Sequence, residues 1–303
     1  MRVIMLGTGG AIPTLSRSLP STALKREGEI LLFDCGEGTQ LQMKKAGLSI
    51  MKLSAIFISH LHGDHLTGLP GLLMTLVHLS RKESLYIFGP PGINAYIDST
   101  KNCIGFSPEY DITVEETTGG RIYEGSGYRV EALPVDHTIF TLAYVFEEEK
   151  RPGRFYVEKA KKLGIPEGPL FNRLQKGKDV ELNDGRIVHP EDVLGSPRRG
   201  RKIVYAVDTR PCQVVADSSK GADILIHDGM FSDQLREEAD QKGHSTVVQA
   251  ARIARKAGVS RLVLSHISPR YSETDALLNE ALVIYPSTIL ADDLSEFEIP
   301  LPE

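Results

Sequence analysis

Three histidines and an aspartate stand close together in one short segment of this 303-residue sequence. The segment reads His60-Leu61-His62-Gly63-Asp64-His65. His60 and His62 are two residues apart, so in an extended loop both rings can point at one ion, while Asp64 and His65 turn toward a second position. Imidazole nitrogen and carboxylate oxygen suit zinc, at about 2.0–2.2 Å per bond. The spacing therefore predicts a metal site rather than a chance cluster of histidines before a helix.

Three more potential ligands, His137, Asp208 and His266, each follow an apolar run of their own. Strands are predicted before the four ligand positions at Ala55–Ile58, Arg129–Val135, Ile203–Val207 and Leu262–Leu264. The loops past the carboxyl ends of strands are where α/β folds place their chemistry. These polar residue types are otherwise poor neighbours for a buried sheet. We therefore expect the four strands to bring their ligands to one place.

Seven ligands are enough for two metal ions. The predicted division is His60, His62 and His137 for one zinc, Asp64, His65 and His266 for the other, and Asp208 as the bridge. Two ions about 3.5–4 Å apart can activate water and clamp the oxygens of a displacement. Cysteine occupies none of these positions, whereas structural zinc sites are usually rich in cysteine. The ligand set indicates a hydrolytic centre with two Zn²⁺ per subunit.

The pattern of the surrounding elements is that of an α/β fold. Further strands are predicted at Val3–Leu6, Ile30–Phe33, Leu85–Phe88 and Ile224–Ile226, and helices at Thr39–Ala46, Thr67–Ser80 and Val247–Lys256. The last helix follows Ser245-Thr246, which are good N-cap residues, and stops at Gly258. Strands that end in Ser59-His60 and in Ser265-His266 also suggest two similar halves that face each other.

Residues 148–200 interrupt this rhythm with many Pro, Gly and charged residues and one predicted helix, Val157–Leu163. The whole chain carries a net charge of −5, yet this segment is strongly basic. We predict that residues 1–303 form a single domain into which residues 148–200 are inserted as a basic arm. Clustered Lys and Arg bind polyanions by counterion release. The predicted binding residues are Arg151, Arg154, Lys159, Lys161, Lys162 and Arg173, although the stretch alone fits a solvated surface equally well.

The remaining composition bears on the compartment. Cys35, Cys103 and Cys212 are scattered and odd in number, which suits a reducing compartment and excludes a disulfide framework. The sequence has no apolar run of membrane-spanning length and no charged-then-apolar leader. We therefore expect a cytoplasmic protein with no membrane partner.

The ligand set, in this order, resembles that of the metallo-β-lactamase superfamily. A closer resemblance is to the ribonuclease Z family of tRNA 3′-processing endonucleases. It is carried by Leu6-Gly7-Thr8-Gly9-Gly10-Ala11-Ile12-Pro13-Thr14, Leu32-Phe33-Asp34-Cys35-Gly36-Glu37-Gly38-Thr39-Gln40, Asp208-Thr209-Arg210-Pro211, His244-Ser245-Thr246, Arg151-Pro152-Gly153 and Leu163-Gly164-Ile165-Pro166-Glu167-Gly168-Pro169. The match runs through nearly the whole chain and has the length of the short form of that enzyme.

This resemblance implies a four-layer αββα sandwich with a protruding arm that binds precursor tRNA, and a homodimer. The implied reaction removes the 3′ trailer from the precursor and leaves a 3′-OH on the tRNA. Asp64 would orient the attacking nucleophile or accept its proton, and the resemblance gives His244 the role of proton donor to the leaving 3′-oxygen. The acid that orients His244 stays open, with Asp228 as one possibility.

Other functions remain open from the residues alone. A second two-zinc hydrolase of this fold could act on a small ester or a cyclic nucleotide, but it would need a small pocket and no basic arm. A non-catalytic RNA-binding protein would usually have lost ligands, and here the whole set is present. A di-iron redox protein would favour a glutamate at position 62 of the histidine motif, which ranks it last.

Overall fold

The computed structural model describes residues 1–105 and 107–302. The chain divides into two compact units. The first comprises residues 1–146 and 202–300, and the second comprises residues 147–201 with the chain from Leu301. Two seven-stranded sheets lie in the first unit, and the second contains a short hairpin.

The elements are as follows in chain order. The strands are β1 (Arg2–Gly7), β2 (Ser21–Arg26), β3 (Glu29–Phe33), β4 (Leu53–Phe57), β5 (Leu85–Gly89), β6 (Ile112–Glu116), β7 (Gly120–Gly125), β8 (Tyr128–Val135), β9 (Thr141–Glu148), β10 (Val180–Glu181), β11 (Ile187–Val188), β12 (Lys202–Ala206), β13 (Ile224–Asp228), β14 (Leu262–Ser265), β15 (Thr288–Leu290) and β16 (Glu296–Glu298). The helices are α1 (Thr39–Lys45), α2 (Gly63–Leu66), α3 (Leu69–His78), α4 (Ile93–Ile104), α5 (Val157–Lys162), α6 (Pro169–Gln175), α7 (Pro190–Val193), α8 (Gln213–Ser218), α9 (Arg236–Lys242), α10 (Val247–Ala257) and α11 (Asp275–Ile284). Among the helices that the structure describes, none combines the length and apolar character needed to cross a bilayer.

Each of the two large sheets contains four neighbouring strands that run parallel. The first sheet has the order β16-β1-β2-β3-β4-β5-β6, and β3 to β6 run parallel. The second has the order β15-β14-β13-β12-β9-β8-β7, and β12 to β15 run parallel. Parallel strands end at the same edge of a sheet, so residues that follow β4, β12 and β14 collect at such edges.

The two sheets pack face to face through a core of aromatic and branched side chains. The ring of Phe57 stacks on Phe33 at 5.2 Å and on Phe88 at 5.4 Å, and Tyr205 of the other sheet lies 5.6 Å from Phe33. Each such buried side chain contributes about 1.5–3 kcal/mol. Helices α1, α3 and α4 cover the outer face of the first sheet, and α8, α10 and α11 cover the second. The predicted four-layer αββα sandwich is therefore confirmed.

Helix α10 follows its sequence pattern closely. The Thr246 hydroxyl accepts a hydrogen bond from the backbone N–H of Gln249, and the Gln249 side chain accepts one from the backbone N–H of Thr246. This reciprocal pair satisfies two N–H groups that the first turn leaves free. Gly258 follows the helix with φ +65, a conformation that glycine adopts without a Cβ penalty. Both predicted ends of this helix are confirmed.

The structure differs from the single helix predicted at Thr67–Ser80. A first turn, α2, already begins at Gly63, and a break separates it from α3. Pro70 lies in the first turn of α3 and has no N–H to continue the hydrogen bonds of α2. At the break, the N–H of Gly68 donates to the carbonyl of Cys35, and a Cβ at Gly68 would lie 2.0 Å from the Gly36 carbonyl oxygen. Asp64 and His65, which were predicted to turn away from the extended His60–His62 loop, therefore lie on a helical turn that begins at Gly63.

The second unit has a small core of its own. The β10–β11 hairpin and helices α5, α6 and α7 enclose Ala160, Leu174 and Val193, and the ring of Phe155 lies 4.8 Å from that of Phe171. At its base, the buried Glu148 and Arg201 form an ion pair at 2.6 Å, and the backbone N–H of Glu148 donates to the Arg201 carbonyl. Helix α5 spans all but the last residue of the helix predicted at Val157–Leu163.

Candidate metal centre

The seven predicted ligands lie together beyond the carboxyl ends of their strands. His60 and His62 follow β4, His137 follows β8, Asp208 follows β12, His266 follows β14, and Asp64 and His65 lie on α2. Their ligand atoms form two groups, and within each group the atoms lie within 4.8 Å of one another. The groups are His60, His62, His137 and Asp208, and Asp64, His65 and His266.

Distances in the first group fit one small ion. Nε2 of His60 lies 2.9 Å from Nδ1 of His62, and Nε2 of His137 lies 3.4 Å from the same Nδ1. Oδ2 of Asp208 lies 3.2 Å from Nε2 of His60. Four ligands at 2.0–2.2 Å around a tetrahedral zinc would lie roughly 3.3–3.6 Å apart. The observed separations are close to that range.

Distances in the second group lead to the same result. Oδ2 of Asp64 lies 3.5 Å from Nε2 of both His65 and His266. The two oxygens of Asp208 face this group as well, with Oδ2 3.2 Å from Nε2 of His65 and Oδ1 3.1 Å from Nε2 of His266. The Asp208 carboxylate therefore lies between the two groups.

Several of these atoms are buried without a hydrogen bond. Nε2 of His65, Nε2 of His266 and Oδ1 of Asp208 have no hydrogen-bond partner in the described chain, although the Asp208 carboxylate lies 3.2 Å from the first nitrogen and 3.1 Å from the second. A buried polar atom without a partner is costly and rare in a native protein. A metal ion in contact with all three would remove that cost. The chemistry and geometry of these residues thus fit a metal-binding site.

Asp34 holds the ring of His65 in place. This carboxylate is fully buried after β3, and its Oδ2 accepts hydrogen bonds from His65 Nδ1 at 2.7 Å, Ser59 Oγ at 2.8 Å and Tyr205 OH at 2.8 Å. Because Nδ1 of His65 donates to Asp34, Nε2 is left to bind a metal. Asp34 is not among the residues to which the sequence pattern assigns a function. Its place directly after an apolar strand, like that of Asp208, is the pattern that could have indicated one.

Two other rings are oriented in the same way. Nδ1 of His60 lies 2.9 Å from Ser59 Oγ, and Nδ1 of His137 lies 2.7 Å from the Gly243 carbonyl oxygen. In both rings Nε2 faces the first group of ligands. Gly243 has φ +79, and a Cβ there would lie 2.6 Å from Nδ1 of His137. The close approach of backbone and ring therefore requires glycine.

Left-handed backbone is concentrated around the centre. Asp34, Asp208 and His266 have φ of +57, +52 and +61, and Ala11 has φ +64. Such conformations of non-glycine residues cost of order 1–3 kcal/mol each and cluster at functional sites. The turn at Ala11 directs its N–H to Oδ2 of Asp64 at 2.8 Å. The left-handed backbone thus places two candidate ligands, Asp208 and His266. The left-handed turn at Ala11 supports a third, Asp64.

The electrostatics of the centre shift the pKa values of its residues in different directions. Burial raises the pKa of Asp208, but the charges of His266 and His65 outweigh burial and hold that pKa well below its usual range. Burial, with a contribution from the His65 charge, lowers the pKa of His60. Burial also lowers the pKa of His65, but the charges of Asp208 and Asp34 raise it well above its ordinary value.

His244 lies in the wall of the same cavity, which has a volume of about 690 Å³. Its ring stacks on His266 at 5.3 Å, and its Nδ1 lies 2.8 Å from Oδ2 of Asp228. Burial lowers the pKa of His244, but the charge and hydrogen bond of Asp228 outweigh burial and raise the pKa to about 9. The other Asp228 oxygen accepts the N–H of Met230 at 2.9 Å. The sequence left the acid beside His244 open, and in the structure Asp228 occupies that position.

The six basic residues predicted to bind substrate lie in the second unit and differ in their surroundings. Arg154, Lys159, Lys161, Lys162 and Arg173 are exposed. Arg151 is half-buried, and its guanidinium donates to the carbonyl of Pro302. Arg173 also lines a concave surface with Lys176 and Lys178, which the prediction left out. The structure thus brings Arg173 together with two further cations and gives Arg151 a partner within the unit.

The chain is similar in sequence and structure to known proteins of one fold class. A model of the beta-lactamase superfamily domain matches residues 177–267, and a model of the anti-Pycsar protein Apyc1 matches residues 1–94. The short form of human tRNase Z has a structure that superimposes with a TM-score of 0.72 and 27% identity, covering 99% of this chain and 100% of that one. The sandwich and its His/Asp clusters therefore define a metallo-β-lactamase-fold protein with a metal-binding site.

Similarity to curated sequences extends over the full length. The chain is 47% identical over 301 residues to ribonuclease Z of Methanosarcina acetivorans, covering 99% of this chain and 98% of the relative. It is 47% identical over 299 residues to ribonuclease Z of Methanothermobacter thermautotrophicus, covering 99% and 97%. The chain belongs to the ribonuclease Z family and is a hydrolase that acts as an endoribonuclease.

Proposed function

We propose that this protein removes the 3′ trailer from tRNA precursors by hydrolysing one phosphodiester, leaving a 3′-OH on the tRNA, with two zinc ions per subunit. The observation that carries the proposal is the meeting of seven candidate ligand side chains from four chain segments, with five of these side chains lining one cavity. The division of their atoms into two groups, with Asp208 facing both, supports two ions rather than one. Ribonuclease Z relatives along the full length support the substrate class.

The protein's own groups have distinct proposed roles. Two zinc ions, when bound, would activate water and offset the charge that develops on the phosphoryl oxygens. Asp64 orients the attacking nucleophile or accepts its proton, and its position is fixed by the Ala11 N–H. His244 gives a proton to the leaving 3′-oxygen, and Asp228 keeps that ring oriented through Nδ1 so that Nε2 is free. Because water is the nucleophile, the neighbouring 2′-OH is not needed.

Binding of the folded tRNA is assigned to the second unit. In residues 150–178, Lys and Arg far outnumber Asp and Glu, whereas the whole chain has 35 Lys and Arg against 40 Asp and Glu. Exposed cations such as Arg154 and Lys162 can contact phosphates without reading bases, as is usual for RNA helices. The concave surface of Arg173, Lys176 and Lys178 has a volume of about 520 Å³ and adds a second group of cations.

The deciding experiment is cleavage of a tRNA precursor with a short 3′ trailer. We compare the wild type, His65→Ala, and a triple variant, Arg173→Ala/Lys176→Ala/Lys178→Ala. Cleavage after the last nucleotide before the trailer should be lost in His65→Ala. In the triple variant KM should rise, with kcat little changed, because the cations contact the tRNA away from the reacting bond.

A wild type that holds zinc but leaves the precursor intact would overturn the proposed substrate. The next substrates would then be small esters and cyclic nucleotides. Metal analysis of the same preparation tests the count of two zinc ions per subunit, and one ion or a different metal would contradict it. The homodimer remains a prediction, and sedimentation that shows only monomer at micromolar concentration would remove it.

A further inference from the structure

One cation lines the catalytic cavity. Lys242, the last residue of α9, is the sole Lys or Arg among the described residues that line the cavity. Its side chain is 53% exposed, and its ammonium group donates to Glu238 at 2.8 Å. An ammonium group has three donors, so this contact leaves capacity for a ligand.

Glu238 is shared with a second cation. The guanidinium of Arg270 donates to both carboxylate oxygens of Glu238, at 2.7 and 3.0 Å. These hydrogen bonds, with that of Lys242, lower the pKa of Glu238 to about 2. One carboxylate thus faces two cations, and the set keeps an excess positive charge. The neighbouring Asp240 lies 3.3 Å from Arg210, which also pairs with Asp136 at 2.9 Å. The excess positive charge is therefore local to Lys242 and Arg270, which share the single carboxylate of Glu238.

A buried ring fixes this cationic set relative to His244. The guanidinium of Arg270 lies 4.9 Å from the centre of the Phe231 ring, and the ammonium of Lys242 lies 5.8 Å from it. Phe231 is fully buried, its carbonyl accepts the N–H of Val247, and its ring lies 6.0 Å from that of His244. Cations held against an aromatic face lose little freedom when they bind a ligand.

We propose that Lys242, supported by Arg270 through Glu238, binds the phosphate on the tRNA side of the scissile bond. The leaving 3′-oxygen belongs to the tRNA, so its proton donor His244 lies on that side of the cavity. Lys242 is two residues from His244 and faces the same cavity. A lysine ammonium binds phosphate as a compact charge. This inference rests on the proposed function.

The test uses mature tRNA that ends in a 3′-OH, which the metal-loaded enzyme binds but cannot cleave further. Lys242→Met should raise the Kd by about tenfold, the effect of losing one charge-assisted contact. It should also reduce the slope of log Kd against log salt by about 0.7–0.9. Glu238→Gln keeps a side-chain oxygen that can accept hydrogen bonds from Lys242 and Arg270 but removes the negative charge, so it should act in the opposite direction and tighten binding.

Lys82→Met is the matched control. Lys82 also pairs with a glutamate, Glu109, at 2.6 Å and is 66% exposed, but it precedes β5, at the opposite edge of the first sheet. Its replacement should leave Kd and salt slope unchanged. Thermal unfolding of each variant checks that the fold is intact.

Three results would overturn the inference. If Lys242→Met weakens precursor binding but leaves mature tRNA binding unchanged, the contact lies on the trailer side. If Glu238→Gln weakens binding as Lys242→Met does, the set only supports the structure around Phe231. If Lys242→Met matches wild type on both RNAs, Lys242 binds no phosphate. Failure of the proposed function would appear separately, as a wild type that does not cleave the precursor.

Discussion

At the scale of single residues, Asp34 links the ligands to the core. It lies at the end of a strand of the first sheet and accepts hydrogen bonds from His65 of the centre and Tyr205 of the second sheet. Orientation of a ligand and attachment of one sheet to the other thus depend on the same carboxylate. Its two functions can be separated by substitution.

We expect Asp34→Ala to lower the free energy of unfolding by about 3 kcal/mol or more, because buried donors of Ser59, His65 and Tyr205 lose their acceptor. It should also lower kcat strongly, since His65 is no longer held. Tyr205→Phe removes one of these bonds and leaves His65 in place, so it should cost about 1 kcal/mol with kcat unchanged. Denaturant unfolding and precursor cleavage measure the two effects. An equal loss of kcat in both variants would contradict the separation.

A second prediction concerns the proton donor. Asp228→Asn should lower kcat by about 10²-fold or more, with KM little changed, because the amide carries no charge and its one acceptor oxygen cannot serve both His244 and the Met230 N–H. A precursor with sulfur in place of the leaving 3′-oxygen needs no proton on the departing atom. That substrate should restore most of the lost rate in Asp228→Asn and in His244→Ala. His65→Ala, which removes a ligand, should stay inactive on it. Absence of rescue would exclude His244 as the donor.

At the scale of elements, two helices end in the same way but in different surroundings. Helix α9 is followed by Gly243 with φ +79, and helix α10 by Gly258 with φ +65. A Cβ at Gly258 would meet nothing within 4 Å, whereas at Gly243 it would meet the His137 ring. Gly258 therefore serves only the end of its helix, whereas Gly243 serves the end of its helix and the centre as well.

Alanine at either position should cost about 1 kcal/mol of unfolding free energy, because both require left-handed backbone. Only Gly243→Ala should also weaken zinc binding and cleavage, since it displaces His137. Gly258→Ala is the matched control with the same backbone cost. Thermal unfolding and zinc titration of the two variants make the comparison. Equal zinc affinity in both would show that the ring of His137 tolerates the displacement.

Most elements with a strong pattern could be predicted from the sequence, and weakly patterned ones could not. The prediction also left out β9, although residues 142–146 are a continuous buried apolar run. Buried strands such as β4 and β14 are continuous apolar runs, and α10 has capping residues at both ends. Strand β6 has no buried residue, and β15 has only three residues. Their strand conformation comes from pairing with β5 and β14, which a local pattern does not encode.

The residues of the candidate metal centre could likewise be predicted only in part. The proximity of the seven candidate ligands could be predicted because each is a metal-binding residue type just past a strand or in one dense motif. Contacts behind them join residues that are far apart in the chain, such as His65 with Asp34 and His137 with Gly243. Only the packing of the two sheets brings such pairs together. The sequence therefore predicts which residues meet, but not what holds them.

At the scale of the whole molecule, we expect metal binding to contribute to the stability of the first unit. Ligands come from both sheets, and their orphaned atoms need ions. Zinc at about 100 times its Kd should stabilise the fold by about 2.7 kcal/mol for each ion bound. A chelator should therefore lower Tm and abolish cleavage, and added zinc should restore both. His65→Ala should show a smaller change in Tm. An unchanged Tm after removal of all zinc would contradict this coupling.

The spread of the ligands along the chain has a consequence for biosynthesis. The motif of residues 60–65 follows β4, whereas His266 follows β14, much later in the chain. During translation the emerging chain would carry four ligands early and lack the last one until β14 has left the ribosome. A nascent chain would thus hold no complete hydrolytic centre. The enzyme could not cleave RNA next to the ribosome that makes it until β14 and His266 had been synthesised.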